Sequence, residues 1–167
     1  SGAEDALLRG EVDLALVTRV PPGFLGDAIA EAEFVAVAAP DHPLHQRGEA
    51  LSAADLENAT QVVVRDSGAR QPRDEGWLSA RRWTVSHPNT ALALVSAGLA
   101  FSWLPRHSIR EQLDAGQLLP LPLSSGARHR RALYLVVADE TGAGPAARAL
   151  AAALRTHLNA FLPSASG

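Results

Sequence analysis

Five short apolar runs, separated by segments of helical character, restrict this sequence to an α/β architecture. The runs cover residues 12–17, 34–38, 61–65, 99–104 and 132–138. Each has strand length, is rich in Val, Leu or Phe, and ends near glycine, proline or a polar turn. Between and beyond them, residues 3–9, 53–57, 91–97, 106–115 and 145–158 read as helices. Gly10, Gly98 and Gly116 stand just past three of those segments, where a left-handed residue closes a helix. Ser52 is placed to cap the second helix, and Asn89 or Thr90 the third. Pro105 and Pro145 suit first turns. Such alternation predicts a parallel-rich sheet, with run 12–17 as a buried parallel strand. Residues 83–85 make a brief further strand. Residues 118–123 hold two prolines and form at most an edge strand. Residues 69–82, polar and arginine-rich, read as a loop or irregular hairpin.

Composition removes several classes of function. A chain of 167 residues buries roughly 70% of its unfolded surface, enough for one domain or two small lobes. The net charge is −3 and no long basic stretch occurs, which argues against direct nucleic-acid binding by this chain. There is no cysteine, so a disulfide framework, an iron–sulfur cluster and a thiolate zinc site are excluded. No apolar run approaches the ~20 residues of a membrane helix, and no signal-peptide pattern opens the chain. Methionine is absent, so Ser1 is not a translation start and the chain reads as a fragment of a longer protein. Lysine is absent too, leaving arginine as the permanent cation.

Several local patterns could carry chemistry, and each has a plainer reading. Asp66-Ser67-Gly68 echoes a serine-hydrolase nucleophile loop, but no Gly-x-Ser-x-Gly elbow exists; a strand-end turn facing a ligand explains it as well. Gly142 to Ala147 matches Gly-x-Gly-x-x-Ala, yet no later strand completes a dinucleotide unit. His42 and His45 are three apart, too few ligands for a metal site. Neither a metal nor another cofactor is expected, and no residue is assigned as a catalyst. Arginines cluster at 65–82 and 128–131. Most such runs are solvated faces, but Arg19 and Arg65 follow predicted strands. Ligands of open α/β sheets bind there, and guanidinium holds a carboxylate with two parallel hydrogen bonds. Trp77, Trp83, Phe101 and Trp103 supply core or pocket walls.

Five segments in order resemble the effector-binding domain of LysR-type transcriptional regulators. They are Leu8-Arg9-Gly10-Glu11-Val12-Asp13-Leu14-Ala15-Leu16; Phe34-Val35-Ala36-Val37 with Pro40-Asp41-His42-Pro43-Leu44; the Ser52 to Leu56 helix; Val95-Ser96-Ala97-Gly98-Leu99-Ala100 continuing to Leu104-Pro105; and Leu113-Asp114-Ala115-Gly116-Gln117-Leu118. Ala100 stands where the family pattern has a second glycine, and the 67–83 connection is short and arginine-rich.

The resemblance implies a type 2 periplasmic-binding-protein-like α/β fold, with two lobes joined by crossover strands near 34–38 and 133–138. The first lobe comprises residues 1–39 and 131–167 and is incomplete, because the family's opening strand, helix and strand lie upstream of Ser1; its sheet edge is then uncovered. The second lobe comprises 40–130. A small-molecule effector, such as a carboxylate, is expected between the lobes. Its contacts are placed at Thr18 and Arg19, at Arg65, Asp66, Ser67 and Gly68, and at Ser86, His87, Asn89 and Thr90 before a helix N-terminus. The full-length protein is expected to be a cytoplasmic homodimer or tetramer that meets DNA only through a separate N-terminal winged helix-turn-helix, without a membrane partner or enzymatic activity. Two other readings stay open. One is a secreted periplasmic solute-binding protein of the same fold, which needs an export signal upstream. The other is a hydrolase resting on Ser67.

Overall fold

The computed structural model describes residues 2–47, 50–64, 79 and 81–158. The elements in chain order are α1 (Gly2–Leu8), β1 (Leu14–Val17), β2 (Gly26–Ala38), α2 (Ala53–Glu57), β3 (Thr60–Val64), β4 (Arg81–Val85), α3 (Pro88–Ser96), β5 (Ser102–Pro105), α4 (Arg110–Asp114), β6 (Leu119–Pro120), β7 (Arg128–Val137) and α5 (Pro145–Leu158). Single 3-10 turns lie at Pro43–Arg47 and Arg106–Ile109. The chain divides into two compact units; among the described residues, unit 1 holds 2–32 and 130–158, and unit 2 holds 33–64, 79 and 81–129. Strands β2 and β7 pass from one unit into the other.

In unit 1, β1 pairs with β7, from Leu14↔Val137 to Val17↔Tyr134, and the pairing is antiparallel. The expectation of a parallel strand is corrected here. The strand is apolar throughout, yet only Ala15 and Val17 are buried, while Leu14 is half-buried and Leu16 is 41% exposed, so its apolar character reports neither full burial nor direction. Leu7 of α1 packs with Ala15, Val17 and Val136, while Ala151 of α5 packs with Ile29 and Leu135, and Leu14 and Val137 join them. Helix α1 ends where Gly10 predicts: Gly10 N–H donates to Leu7 O at 3.0 Å and Glu11 N–H to Ala6 O at 2.9 Å, the paired bonds of a Schellman motif. The same pair closes α3 at Gly98 and α4 at Gly116.

In unit 2, β3 and β4 are parallel and in register from Thr60↔Arg81 to Val64↔Val85. Beyond β3, Phe101 bridges in parallel to Gln61, accepting the Val62 N–H at 2.9 Å and donating its own N–H to Thr60 O at 3.0 Å. β5 then lies antiparallel to β2, from Phe34↔Pro105 to Val37↔Ser102, and β6 pairs antiparallel with the end of β2. β3 and β4 thus form a parallel sheet of their own, whereas β1 with β7, and β5 and β6 with β2, pair antiparallel in the other sheet; the expectation of a parallel-rich sheet is corrected. Successive residues of β2 face opposite sides, as the period of a strand requires. Val35 and Val37 join Val62, Ala91, Val95, Leu104, Ile109 and Leu118 on the α3 side. Ala36 and Ala38 join Leu44, Leu51, Leu56, Phe101 and Leu121 on the α2 side.

Further boundaries differ from the sequence reading: β4 begins at Arg81, inside the segment read as a loop or hairpin, β5 spans Ser102–Pro105 and β7 begins at Arg128. β2 runs 13 residues, because the segment before Phe34 continues the pairing although its alanines and acids give a weak apolar signal. The segment after Pro105 is a 3-10 turn followed by a five-residue helix, not one helix. Helix α3 starts at Pro88 with His87 as its cap residue, so neither Asn89 nor Thr90 is the N-cap. Proline at the first helical position has a preset φ and no N–H to satisfy, and it draws the start of the helix towards β4.

Candidate functional site

Strands β3 and β4 end side by side at Val64 and Val85. Ser86 and His87 follow β4 directly, and α3 begins at Pro88. His87 is extended (φ −125°, ψ 137°), and its carbonyl accepts the N–H groups of Thr90 at 3.1 Å and Ala91 at 3.3 Å. Its side chain makes no capping bond. Ser86, His87, Asn89 and Thr90 are all exposed. The four thus gather at one place in unit 2: the carboxyl end of a parallel strand and the positive end of a nine-residue helix. Two hydroxyls, a carboxamide and an imidazole are presented there. Hydroxyl and amide donors at the positive end of a helix dipole suit an anion.

Thr18 and Arg19 lie in unit 1, immediately past β1, and are exposed. Arg19 is engaged: its guanidinium stands 3.6 Å from the Glu4 carboxylate of α1. That distance is an ion pair without a tight hydrogen bond, and the arginine side chain is 71% exposed, so the contact is weak. Guanidinium carries five N–H donors, and a single long contact leaves capacity for an anionic ligand. Arg65, Asp66, Ser67 and Gly68 lie outside the described residues, as do Arg70, Arg73 and Trp77.

The remaining sequence patterns resolve into structural roles. The Gly142 loop is organised by Asp139, whose Oδ1 accepts the Thr141 N–H at 2.9 Å, the Thr141 hydroxyl at 2.8 Å and the Gly142 N–H at 2.9 Å. These bonds hold the Asp139 carboxyl below its ordinary range, the Gly142 N–H first. They also occupy donors that a phosphate would need. A Cβ on Gly142 would collide with the same carboxylate, so this glycine serves the turn. His42 is buried, and its Nδ1 accepts the Leu44 N–H at 3.2 Å. Burial pushes its imidazole below the usual histidine value, and neighbouring His45 adds to the effect. Among the described residues no group of three histidine or carboxylate side chains could hold a metal.

Sequence reasoning missed Ser79. It is buried beside Gln61; its N–H donates to Gln61 Oε1 at 3.1 Å, and its hydroxyl donates to Ala59 O, with Glu57 O 3.1 Å away as a second acceptor, while accepting the Arg81 N–H at 3.0 Å. These bonds fix where β4 begins and so where α3 presents its N-terminus. A serine in a polar stretch carries no advance sign of this. A cavity of about 330 Å³ lies elsewhere, lined by Arg47, Ala50, Leu51 and Asp55. Arg47 and Asp55 pair directly, which occupies its charged groups. None of the proposed contact residues that the structure describes lines it.

The family model described as LysR substrate binding domain matches residues 1–159. Among solved structures, the chain is similar to a double cysteine-to-serine variant of the MetR regulatory domain from N. meningitidis, with 20% identity, TM-score 0.71, and coverage of 95% of this chain and 77% of that one. It is similar to the Synechocystis CcmR regulatory domain in complex with 2-PG (15%, TM-score 0.70, 93% and 79%). It is also similar to ArgP from Mycobacterium tuberculosis (16%, TM-score 0.71), covering 98% of this chain and 54%, about half, of that one. At these identities the structural likeness speaks for the fold. No curated protein sequence matches. Among the described residues no helix is long and apolar enough to cross a membrane.

Proposed function

Because this chain belongs to the LysR substrate-binding domain family, with its type 2 periplasmic-binding-protein-like fold, we propose that it senses a small anionic effector, a carboxylate in particular, on behalf of a separate DNA-binding domain. The observation that carries the anion reading is the exposed group Ser86, His87, Asn89 and Thr90 at the α3 N-terminus, just past the end of β4. Thr18 and Arg19 after β1, and Arg65, Asp66, Ser67 and Gly68 after β3, complete the proposed contact set. The 2-PG in the CcmR neighbour shows a relative of this fold with a small-molecule ligand. The effector acts by binding two conformations of the domain unequally, the only way a ligand can shift an equilibrium. In the full-length protein this alters how a homodimer or tetramer presents its winged helix-turn-helix domains to DNA. The protein works in the cytoplasm and as a sensor, without a chemical step.

A panel of small carboxylates, screened by thermal shift and followed by calorimetric titration, tests this. One should raise the melting temperature saturably. Arg65→Ala, Ser67→Ala and Thr90→Ala should each weaken its binding by roughly 10-fold or more, the value of a charge-assisted hydrogen bond, without lowering the melting temperature of the free protein. Unchanged affinity in all three variants would sink the assignment. Hydrolysis of an ester that disappears in Ser67→Ala would favour the enzyme reading instead. An export signal upstream would favour the solute-binding protein.

A further inference from the structure

The residues of strand β4 itself are not among the proposed effector contacts, which begin at Ser86 just past its end. It pairs only with β3 among the described residues, and β3 is bridged to Phe101 on its other side, so β4 is the edge strand among the described residues. Arg81, Arg82, Trp83 and Thr84 are all exposed, Trp83 to 45%. Consecutive strand residues face opposite sides. Trp83 is in register with Val62, which belongs to the cluster under α3. Trp83 and Arg81 therefore share the α3 face, and Arg82 and Thr84 the other. Arg9, Arg19, Arg47, Arg106, Arg110, Arg128, Arg130 and Arg155 each reach a carboxylate, and Arg148 donates to Ala143 O. The guanidiniums of Arg81 and Arg82 reach no partner among the described residues.

We propose that β4 is a docking strand for an acidic peptide, which adds to its open edge in extended form. An unpaired edge presents backbone donors and acceptors as a template for another strand. The two arginines place one cation on each side of the incoming strand. The matching partner therefore carries carboxylates at two successive positions, with an apolar residue beside them to cover Trp83. Charged residues also protect edges from unwanted pairing, but a purely protective edge has no use for an exposed tryptophan. Trp and Arg together are the residues that dominate binding hot spots. The whole chain carries −3, so an acidic partner is drawn to this strand and not to the surface at large.

The test uses the full chain, labelled with nitrogen-15, and the synthetic peptide acetyl-TVEEVT-amide, with acetyl-TVKKVT-amide as control. Saturable amide shifts concentrated at residues 81–85, weakening as salt rises, are expected with the glutamate peptide alone. The double variant Arg81→Glu/Arg82→Glu should lose at least 10-fold in affinity, and Trp83→Ala several-fold. If charge reversal disturbs the spectrum of the free protein, Arg81→Gln/Arg82→Gln replaces it. Equal binding by the lysine peptide, shifts centred outside β4, undiminished affinity in the double variant, or no shift at millimolar peptide each overturns the proposal.

Discussion

Replacing Phe101 with alanine probes the half of unit 2 that lies under α2. The ring is fully buried, meets Trp103 edge-on with centroids 5.6 Å apart, and packs with Leu44, Leu51, Leu56 and Leu121. Those leucines come from four separate segments. Two are pinned through their backbones, Leu51 N–H to Pro122 O at 2.7 Å and Leu121 N–H to Ala36 O at 2.9 Å, so the site cannot readily collapse into the space left behind. Truncating a buried Phe costs about 3–5 kcal/mol, with the poorly collapsing sites at the upper end. The aromatic pair contributes about 0.5–1.5 kcal/mol beyond burial, part of which is already in that figure. A loss of about 4 kcal/mol is therefore expected. At about 2–4 °C per kcal/mol for a chain of this size, the melting temperature falls by roughly 8–16 °C. The backbone bonds of Phe101 to Thr60 and Val62 need no side chain, so the native far-ultraviolet spectrum should persist at low temperature. Urea unfolding followed by circular dichroism measures the loss, with Phe101→Leu as a control that leaves a smaller cavity and therefore loses less than Phe101→Ala. A loss below about 1.5 kcal/mol for Phe101→Ala, or equal losses for both variants, would refute the packing argument.

Two other outcomes follow from single contacts. The His42 imidazole is held below its ordinary value by burial, so the unfolded chain binds more protons and stability rises with pH through that window. His42 should contribute fully above about pH 6.5 and lose that contribution as the pH falls below it; His42→Asn, which keeps an acceptor for the Leu44 N–H, should flatten the dependence, and urea midpoints at pH 5 and 7.5 that shift equally in both proteins would contradict this. Glu4 competes with any anion for Arg19, and a long ion pair whose arginine is largely exposed is worth about 0–1 kcal/mol. Glu4→Gln should therefore tighten effector binding by up to about five-fold in calorimetric titration if Arg19 is a contact, and weaker binding would exclude that role.

The turns and helix ends were the most legible part of the chain, because each rests on the local chemistry of one residue. Gly10, Gly98 and Gly116 all sit at positive φ and close helices where the sequence places them. Helix α2 begins after Ser52 as expected, and Asp55 Oδ2 accepts both the Ser52 N–H at 2.8 Å and its hydroxyl at 2.6 Å. Helix α5 has the predicted bounds. Of the candidate site, the position of residues 86–90 between a strand end and a helix start was legible, because a strand followed by a helix is visible in the sequence. Its detail was not: a proline and two plausible caps compete within three residues, and Pro88 takes the first helical position. The engagement of Arg19 by Glu4 was equally hidden, since 15 residues separate them and only the packing of α1 beside β1 brings them within reach.

Strand direction was misread for a deeper reason. In run 12–17, Ala15 and Val17 are buried with Leu7 of α1, Leu14 is half-buried beside Ala151 of α5, and Leu16 is exposed; an apolar strand looks the same whichever way its partner runs. What decides direction is the partner's identity, and β7 lies more than 100 residues later in the chain. Strand β2 makes the same point from within one element. Its consecutive buried residues Val35 to Ala38 are shared between two cores by alternation, with valines on the α3 side and alanines on the α2 side. The small pair leaves room for Phe101 and four leucines, and the larger pair fills the space beneath the alanine-bearing face of α3. A pattern of size along β2 therefore sets how closely each helical layer approaches the sheet, and with it where the N-terminus of α3 stands.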